Sequence, residues 1–441
     1  MKYKYLIAGL LLSIICYDGF TQNKNVITLF DCYAEAEKAY PTYGNRDLYL
    51  RMNELQTSNV NVAYLPKFSL NGQATYQSDV TKVEIPFDKF MEEIFAQFPV
   101  QIEIEIPELD IPAPKKDQYK LSLDVNQVIY DGGINKYKKE IENANMETNL
   151  QQVEVELYQI KDRINKLYFA LLLLQENKNG LQIMIEEIEK RLMVMSSAVD
   201  NGVMLQASLD VLLAEKLKLE QKILQIEMTY ESALKGLEIL LNRELPADVM
   251  VEIPSVDVLN KDLARPELKL LDLQMNKLDA ASKLVTRKNY PMLFGFGQVG
   301  YGRPAFNMFS DEFDTFYYVG AKLTWNFWDW KESSREKQIY AIQKEILQKN
   351  KETFSKNISI GLVSEEVKFQ KYNEILAKDA EIIKLRTKIS ETSASKLENG
   401  IITSTDYITD LNAEINAKIS LKSHELELIQ AKINYITMQG N

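Results

Sequence analysis

After Pro114 no proline occurs until Pro246, and after Pro304 none occurs as far as Asn441. Proline removes a backbone donor and clashes with the preceding turn, so these stretches are where long uninterrupted helices can form. Each contains an alternating run that stops on an acidic residue, "VIYDGG" at 128–133 and "NFWDWK" at 326–331. Each then reaches an Asn-Gly pair, Asn201-Gly202 or Asn399-Gly400. Asp131 with Asp329 and Gly202 with Gly400 share an offset of 198 residues, whereas Pro66 and Pro291 differ by 225. The surplus of 27 residues falls between Pro66 and Asp131, so the chain reads as two copies of one unit with a loop inserted in the first, within 78–117.

The first copy, 22–242, is predicted to hold a helix, strands at about 66–79 and 117–130, a long helix at 132–200 and a return helix at 203–242. An irregular linker at 243–261 follows. The second copy, 262–441, repeats the order: helix 262–289, strands at about 290–303 and 315–328, long helix 331–398, return helix 401–439. In the first long helix Ile160, Ile164, Leu167, Leu171 and Leu174, then Leu181 to Val199, keep a four-three spacing, which is a coiled-coil seam. The Asn-Gly pairs supply the left-handed backbone that turns the chain back.

The strands alternate cleanly. Phe68, Leu70, Ala74 and Tyr76 oppose Lys67, Ser69, Asn71 and Gln73, and Tyr119, Leu121, Leu123 and Val125 oppose Lys120, Ser122, Asp124 and Asn126. Tyr317, Val319, Ala321, Leu323 and Trp325 oppose Gly320, Lys322, Thr324 and Asn326. The run from Pro291 to Arg303 departs, with Phe294 and Phe296 on the face expected to be polar. Four strands are too few for a soluble sandwich of this length, and single-chain bacterial barrels begin at about eight, so several chains would have to share one barrel. Tyr317, Tyr318, Trp325, Phe327, Trp328 and Trp330 suit an interfacial aromatic girdle; core packing is the alternative.

Lys2 and Lys4 ahead of the apolar run Leu6 to Cys16, with Gly19 and Thr21 beyond it, predict a signal peptide at 1–21. Ile14 and Ile15 stand where a lipid-anchored leader carries small residues. Cleavage would leave Cys32 alone, without an intrachain disulfide. The net charge of −11 becomes −12 once Lys2, Lys4 and Asp18 are removed, which disfavours nucleic acid as a partner. The single histidine, His424, reads as a solvated helical residue, and no catalytic set, metal ligand set or cofactor motif stands out.

The strand-to-helix signatures "QVIYDGG" and "LTWNFWDW", the "ARPELKLLDLQ" that opens the second copy, and the Asn-Gly turns with their following Asp resemble the TolC family of outer-membrane efflux proteins across the mature chain. The resemblance implies a mainly α fold with a β-barrel portion. A homotrimer would build one shared twelve-stranded barrel, continued by a coiled-coil periplasmic tunnel, as a passive duct rather than an enzyme. It implies a periplasmic adaptor (membrane fusion) protein and an inner-membrane transporter of RND or ABC type as partners, with outer-membrane lipid around the barrel. Asp131, Gly132, Gly133 and Asp329 would mark the barrel–tunnel junctions, and Asn201, Gly202, Asn399 and Gly400 the periplasmic tips. Tyr317, Trp325, Trp328 and Trp330 would form the girdle. Counting from Gly400 places the gate carboxylate at Asp406. The position of a second falls on Thr409, beside Asp410, and the usual Tyr and Arg partners fall on Leu397 and Ile402. Closure then rests on apolar packing. Asp406 can equally be a helix cap, and the 78–117 loop a lid or a free surface loop. An exported coiled-coil adhesin and an exported hydrolase are the competing classes. The first would not need two amphipathic strand pairs, and the charges in these helices look like ordinary solvated faces.

Overall fold

The structure, a computed structural model, describes residues 26–80, 87–97, 115–257, 262–308 and 310–440. In chain order the elements are β1 (Val26–Ile27), α1 (Leu29–Ala39), a 3₁₀ turn (Pro41–Gly44), α2 (Asn45–Val62), β2 (Lys67–Tyr76), α3 (Phe87–Phe95) and β3 (Asp117–Tyr130). Then come α4 (Ile134–Asp200), α5 (Gln206–Leu241), β4 (Met250–Val251), α6 (Pro266–Arg287), β5 (Met292–Arg303), β6 (Asp314–Thr324), α7 (Glu332–Glu398) and α8 (Ser404–Gln439). Helices of 67 and 36 residues follow each strand pair, α4 with α5 and α7 with α8. A 67-residue helix is about 100 Å long.

The chain divides into two compact units. One holds the sheet, with Tyr49–Thr148 and Asp272–Leu347; the other holds Asn149–Leu271 and Gln348–Asn441 with the chain up to Leu48. In the sheet unit the strand order is β2-β3-β5-β6, antiparallel throughout. The register puts Phe68 beside Val125, Leu70 beside Leu123, Leu123 beside Val299, and Val299 beside Tyr317, so one face of all four strands is apolar. β6 stops at Thr324, short of the expected 328. Thr324 pairs with Met292, and the residue before Met292 is Pro291, which has no N–H to continue the ladder.

In the other unit the predicted seam is inside: Ile160, Ile164, Leu171 and Ile188 are buried on α4. Toward the end of α4, Leu181, Met184, Ile188 and Met195 form one apolar cluster with Leu212 and Leu219 of α5, Leu397 of α7, and Tyr407, Leu411 and Ile415 of α8. Each fully buried aliphatic side chain there contributes roughly 1.5–3 kcal/mol. The stretch expected to be an irregular linker contains β4, which pairs in parallel with β1. Tyr168, fully buried, bridges the pair: its hydroxyl donates to the carbonyl of Glu252 (2.6 Å) and lies 3.0 Å from that of Ile27. Cys32 is buried in the same unit, and burial pushes its thiol up to about 12, so it is inert.

The strand-to-helix joints are built alike. Asp131 accepts from the backbone N–H groups of Gly133 (2.8 Å) and Asn135 (2.6 Å), and Asp329 accepts from those of Lys331 (3.0 Å) and Ser333 (3.0 Å). Both joints need left-handed backbone, with φ of +68° and +86° at Gly132 and Gly133, and +51° and +63° at Trp330 and Lys331. Only the first joint has glycines to supply it at low cost. A Cβ on Gly132 would also lie 2.8 Å from Tyr290 Cβ. Gly132→Ala is therefore expected to destabilise by roughly 1–3 kcal/mol, and Lys331→Gly to be neutral or stabilising by less than about 1 kcal/mol. Thermal unfolding of the two variants checks this; equal melting temperatures would contradict it.

Candidate functional site

The residues singled out from the sequence fall into three places: the joints just described, the helix turns, and the sheet with the aromatic residues around it. At the turns Gly202 and Gly400 adopt φ of +74° and +71°, and a Cβ at either would meet nothing within 4 Å. The amides of Asn201 and Asn399 donate to the carbonyls of Ser197 (2.7 Å) and Ser395 (2.8 Å). The N–H groups of Val203 and Ile401 close the same six-residue loop onto Ala198 (2.8 Å) and Lys396 (2.9 Å). Val203, Leu205 and Ile401 stay exposed at these turns.

Asp406 caps α8. Thr403 is the N-cap; its hydroxyl accepts from the Asp406 N–H at 3.2 Å, while the Asp406 carboxylate accepts from the Thr403 hydroxyl (2.7 Å) and backbone N–H (3.0 Å). These bonds from the Thr403 side chain and then its backbone hold the Asp406 carboxyl below its ordinary range. Thr409 donates back to the Thr405 carbonyl at 2.9 Å. Asp410 accepts from the hydroxyl of Ser393, which ties α8 to α7. The corresponding start of α5 has Leu205 as N-cap, without any side-chain cap.

Spacing arguments missed a cationic junction in this place. Arg191 of α4 pairs with Glu398 of α7 and, at 3.4 Å, with Glu187, while its guanidinium lies 5.7 Å from the centroid of the Tyr407 ring on α8. Leu397 is buried in the apolar cluster beneath, and Ile402 packs on it. His424 is not simply solvated: its Nδ1 lies 2.6 Å from Oδ2 of the buried Asp379, across α7 and α8. Among the described residues no group of His, Cys, Asp and Glu could hold a metal ion. A cavity of 470 Å³ beside α4, α5 and β4 is lined by Gln175, Lys178, Tyr230 and Asp248, none of them a residue singled out above.

Of the aromatic residues, Tyr317 lies on the apolar face of β6, and Trp325, Phe327, Trp328 and Trp330 follow the strand; all five are exposed. They are not packed into a core. Tyr318 belongs to the opposite face, where it meets Phe296. The lid reading of the 78–117 loop falls largely outside the described residues; α3, the described part, carries Phe90 and Ile94 exposed.

No protein-family model matches the chain, and no curated protein matches it by sequence. Solved structures do. The outer membrane protein VceC of Vibrio cholerae matches at 12% identity and a TM-score of 0.65, covering 94% of this chain and 96% of its own. The MtrE outer membrane channel of Neisseria gonorrhoeae, in its open state, matches at 12% identity and 0.65, covering 94% and 89%. The CmeC outer membrane channel of Campylobacter jejuni matches at 14% identity and 0.62, covering 93% and 85%. The chain has the TolC-like outer-membrane channel fold that its sequence resembles.

Thr403→Ala should cost about 1 kcal/mol, and Leu205→Thr should recover a similar amount at α5. Because the Asp406 carboxyl is held low, its share of the cap is present at neutral pH and is lost only as pH falls below about 3.9, through the folded-state value. Hydrogen exchange of the first turns of α5 and α8 checks all three statements; unchanged protection in α8 of Thr403→Ala would contradict them.

Proposed function

We propose that the protein is a passive outer-membrane duct: three copies place their four-stranded sheets in one shared barrel, and their long helices in a periplasmic tunnel. The carrying observation is the sheet. Its apolar face is bare, with Phe68, Leu70, Val319 and Leu323 exposed by 66–81%, and neither β2 nor β6 has a partner on its outer edge among the described residues. A large exposed apolar face marks contact with lipid or protein. In lipid each unpaired backbone group costs several kcal/mol, so the edges must be closed by other copies. No helix among the described residues is long and apolar enough to cross a membrane, and the barrel would be the spanning part.

The helices support the same assembly. On α7 the exposed apolar residues Ile339, Ile342 and Ile346, then Ile360, Val363 and Val367, form two three-four segments of one stripe, with Lys349, Thr353 and Lys356 between them. Such a stripe is the unpaired half of a coiled-coil seam, and the occupant in this reading is a helix of the next copy. The two halves of the chain are read as structural repeats, the joints at Asp131 and Asp329 as barrel–tunnel junctions, and the Asn-Gly turns as periplasmic tips. The exposed Val203, Leu205 and Ile401 there fit a periplasmic adaptor, which would bring an inner-membrane transporter of RND or ABC type. Tyr317, Trp325, Trp328 and Trp330 are the proposed girdle, with rings at the lipid headgroups. Asp406, Asp410 and Thr409 lie in the proposed entrance, where three symmetry-related carboxylates attract cations. Capping and selectivity coexist, since the cap uses Oδ2 of Asp406.

Arg191 is the proposed clasp of this entrance, binding α4 to the ends of α7 and α8 through Glu398 and Tyr407. Arg191→Gln is expected to raise channel open probability several-fold in planar bilayers while leaving assembly intact; unchanged gating would remove Arg191 from the mechanism. The assembly is tested by mass measurement in detergent together with bilayer recording of the wild type. A trimer that forms cation-preferring channels is expected. A water-soluble monomer of native helix content, without conductance, would overturn the reading.

A further inference from the structure

The polar face of the sheet carries a group of rings that a water-filled lumen does not need. Phe296 and Tyr318 meet edge-on with centroids 5.8 Å apart, and the β5–β6 connection folds back so that Phe306 lies 4.9 Å from Phe316 and 5.8 Å from Tyr318. Glycines opposite make the room. Phe316 pairs with Gly300 and Phe296 with Gly320, where a Cβ would lie 2.7 Å from the Phe296 ring. Substituting either glycine would thus displace a ring, as expected where rings lie flat over cross-strand glycines.

Phe316 is buried under this arrangement, but Phe306 remains 58% and Tyr318 43% exposed. Ring packing alone does not explain leaving these surfaces in water. Lys120 holds its ammonium 4.8 Å from the Phe316 centroid, and Asp314 lies in the same cross-strand row beyond Gly302; Lys67 and Lys322 share this face but sit at the helix end of the sheet. Asp124 is already engaged by Asn71 and Gln298.

Resting on the channel reading, we propose that Phe306 and Tyr318 with Lys120 form a binding subsite for aromatic anions passing along this face, near the loop end of the sheet. The free ring surfaces stack a planar group, and the lysine meets its sulfonate or carboxylate. A ring contact and a nearby cation together bind weakly enough for release, as conduction requires.

The test is block of single channels by 1-naphthalenesulfonate added on the loop side, with methanesulfonate as the ringless control. Wild type should be blocked by the first and not by the second at equal concentration. Phe306→Leu, which keeps an apolar side chain without a ring, should keep the open conductance and weaken the block roughly 3- to 10-fold, and Phe306→Trp should retain it. Lys120→Gln should weaken block by naphthalenesulfonate and leave block by neutral 2-naphthol unchanged. Equal block of wild type and Phe306→Leu, or equal block by methanesulfonate, overturns the subsite while the channel stands. Absence of any channel overturns both.

Discussion

A four-stranded antiparallel sheet has two edges, and among the described residues both are open here, β2 on one side and β6 on the other. Backbone N–H and C=O groups along an edge are obligatory hydrogen-bonding groups, so an open edge is tolerable only in water or against another strand. The face beside these edges is apolar from Phe68 to Leu323, which removes water as the answer. The proposed sharing of strands in a ring of copies would resolve that conflict, and in that reading each sheet has to be held in one orientation at its helix ends.

The joints meet that last need with the same device used twice. An aspartate after each strand takes the N–H groups two and four residues on, which starts the helix within one turn. Asn289 adds a further bond to Asp329 at 2.8 Å, and Ser333 with Asn289 holds that carboxyl well below the usual range. It therefore stays charged at neutral and mildly acidic pH. The second joint reaches this geometry with Trp330 and Lys331 in a conformation that favours glycine, a local cost set against two exposed residues at the edge of the proposed membrane interface.

Much of this was legible because it depends on period and on breakers. The absence of proline located the long helices, the alternation from Tyr119 to Val125 located a strand and its faces, and the Asn-Gly pairs located the turns. What was not legible depends on contacts between distant positions. Arg191 meets Glu398 across 207 residues, and His424 meets Asp379 across 45, with no spacing rule to announce either. The two-residue strands β1 and β4 are too short for any periodicity. Phe294 and Phe296 broke the expected alternation; for Phe296 the reason lies across the sheet, in Gly320 and Tyr318 of β6, which are not visible along β5 alone. Asp406 could be read as gate or cap; Thr403 three residues earlier was the signal for the cap, and its bonds show that geometry.

Closure of the sheet edges between copies is the claim on which the rest hangs, and a disulfide can test it. One cysteine at Ser69, Asn71 or Gln73 on β2 is combined with one at Lys322 on β6, all on the same face of the sheet, and the protein is oxidised in detergent. Closed edges predict that at least one pairing gives a covalent trimer on a non-reducing gel, reversible by thiol. Only monomers from every pairing, with both cysteines accessible to a thiol reagent, would contradict the account.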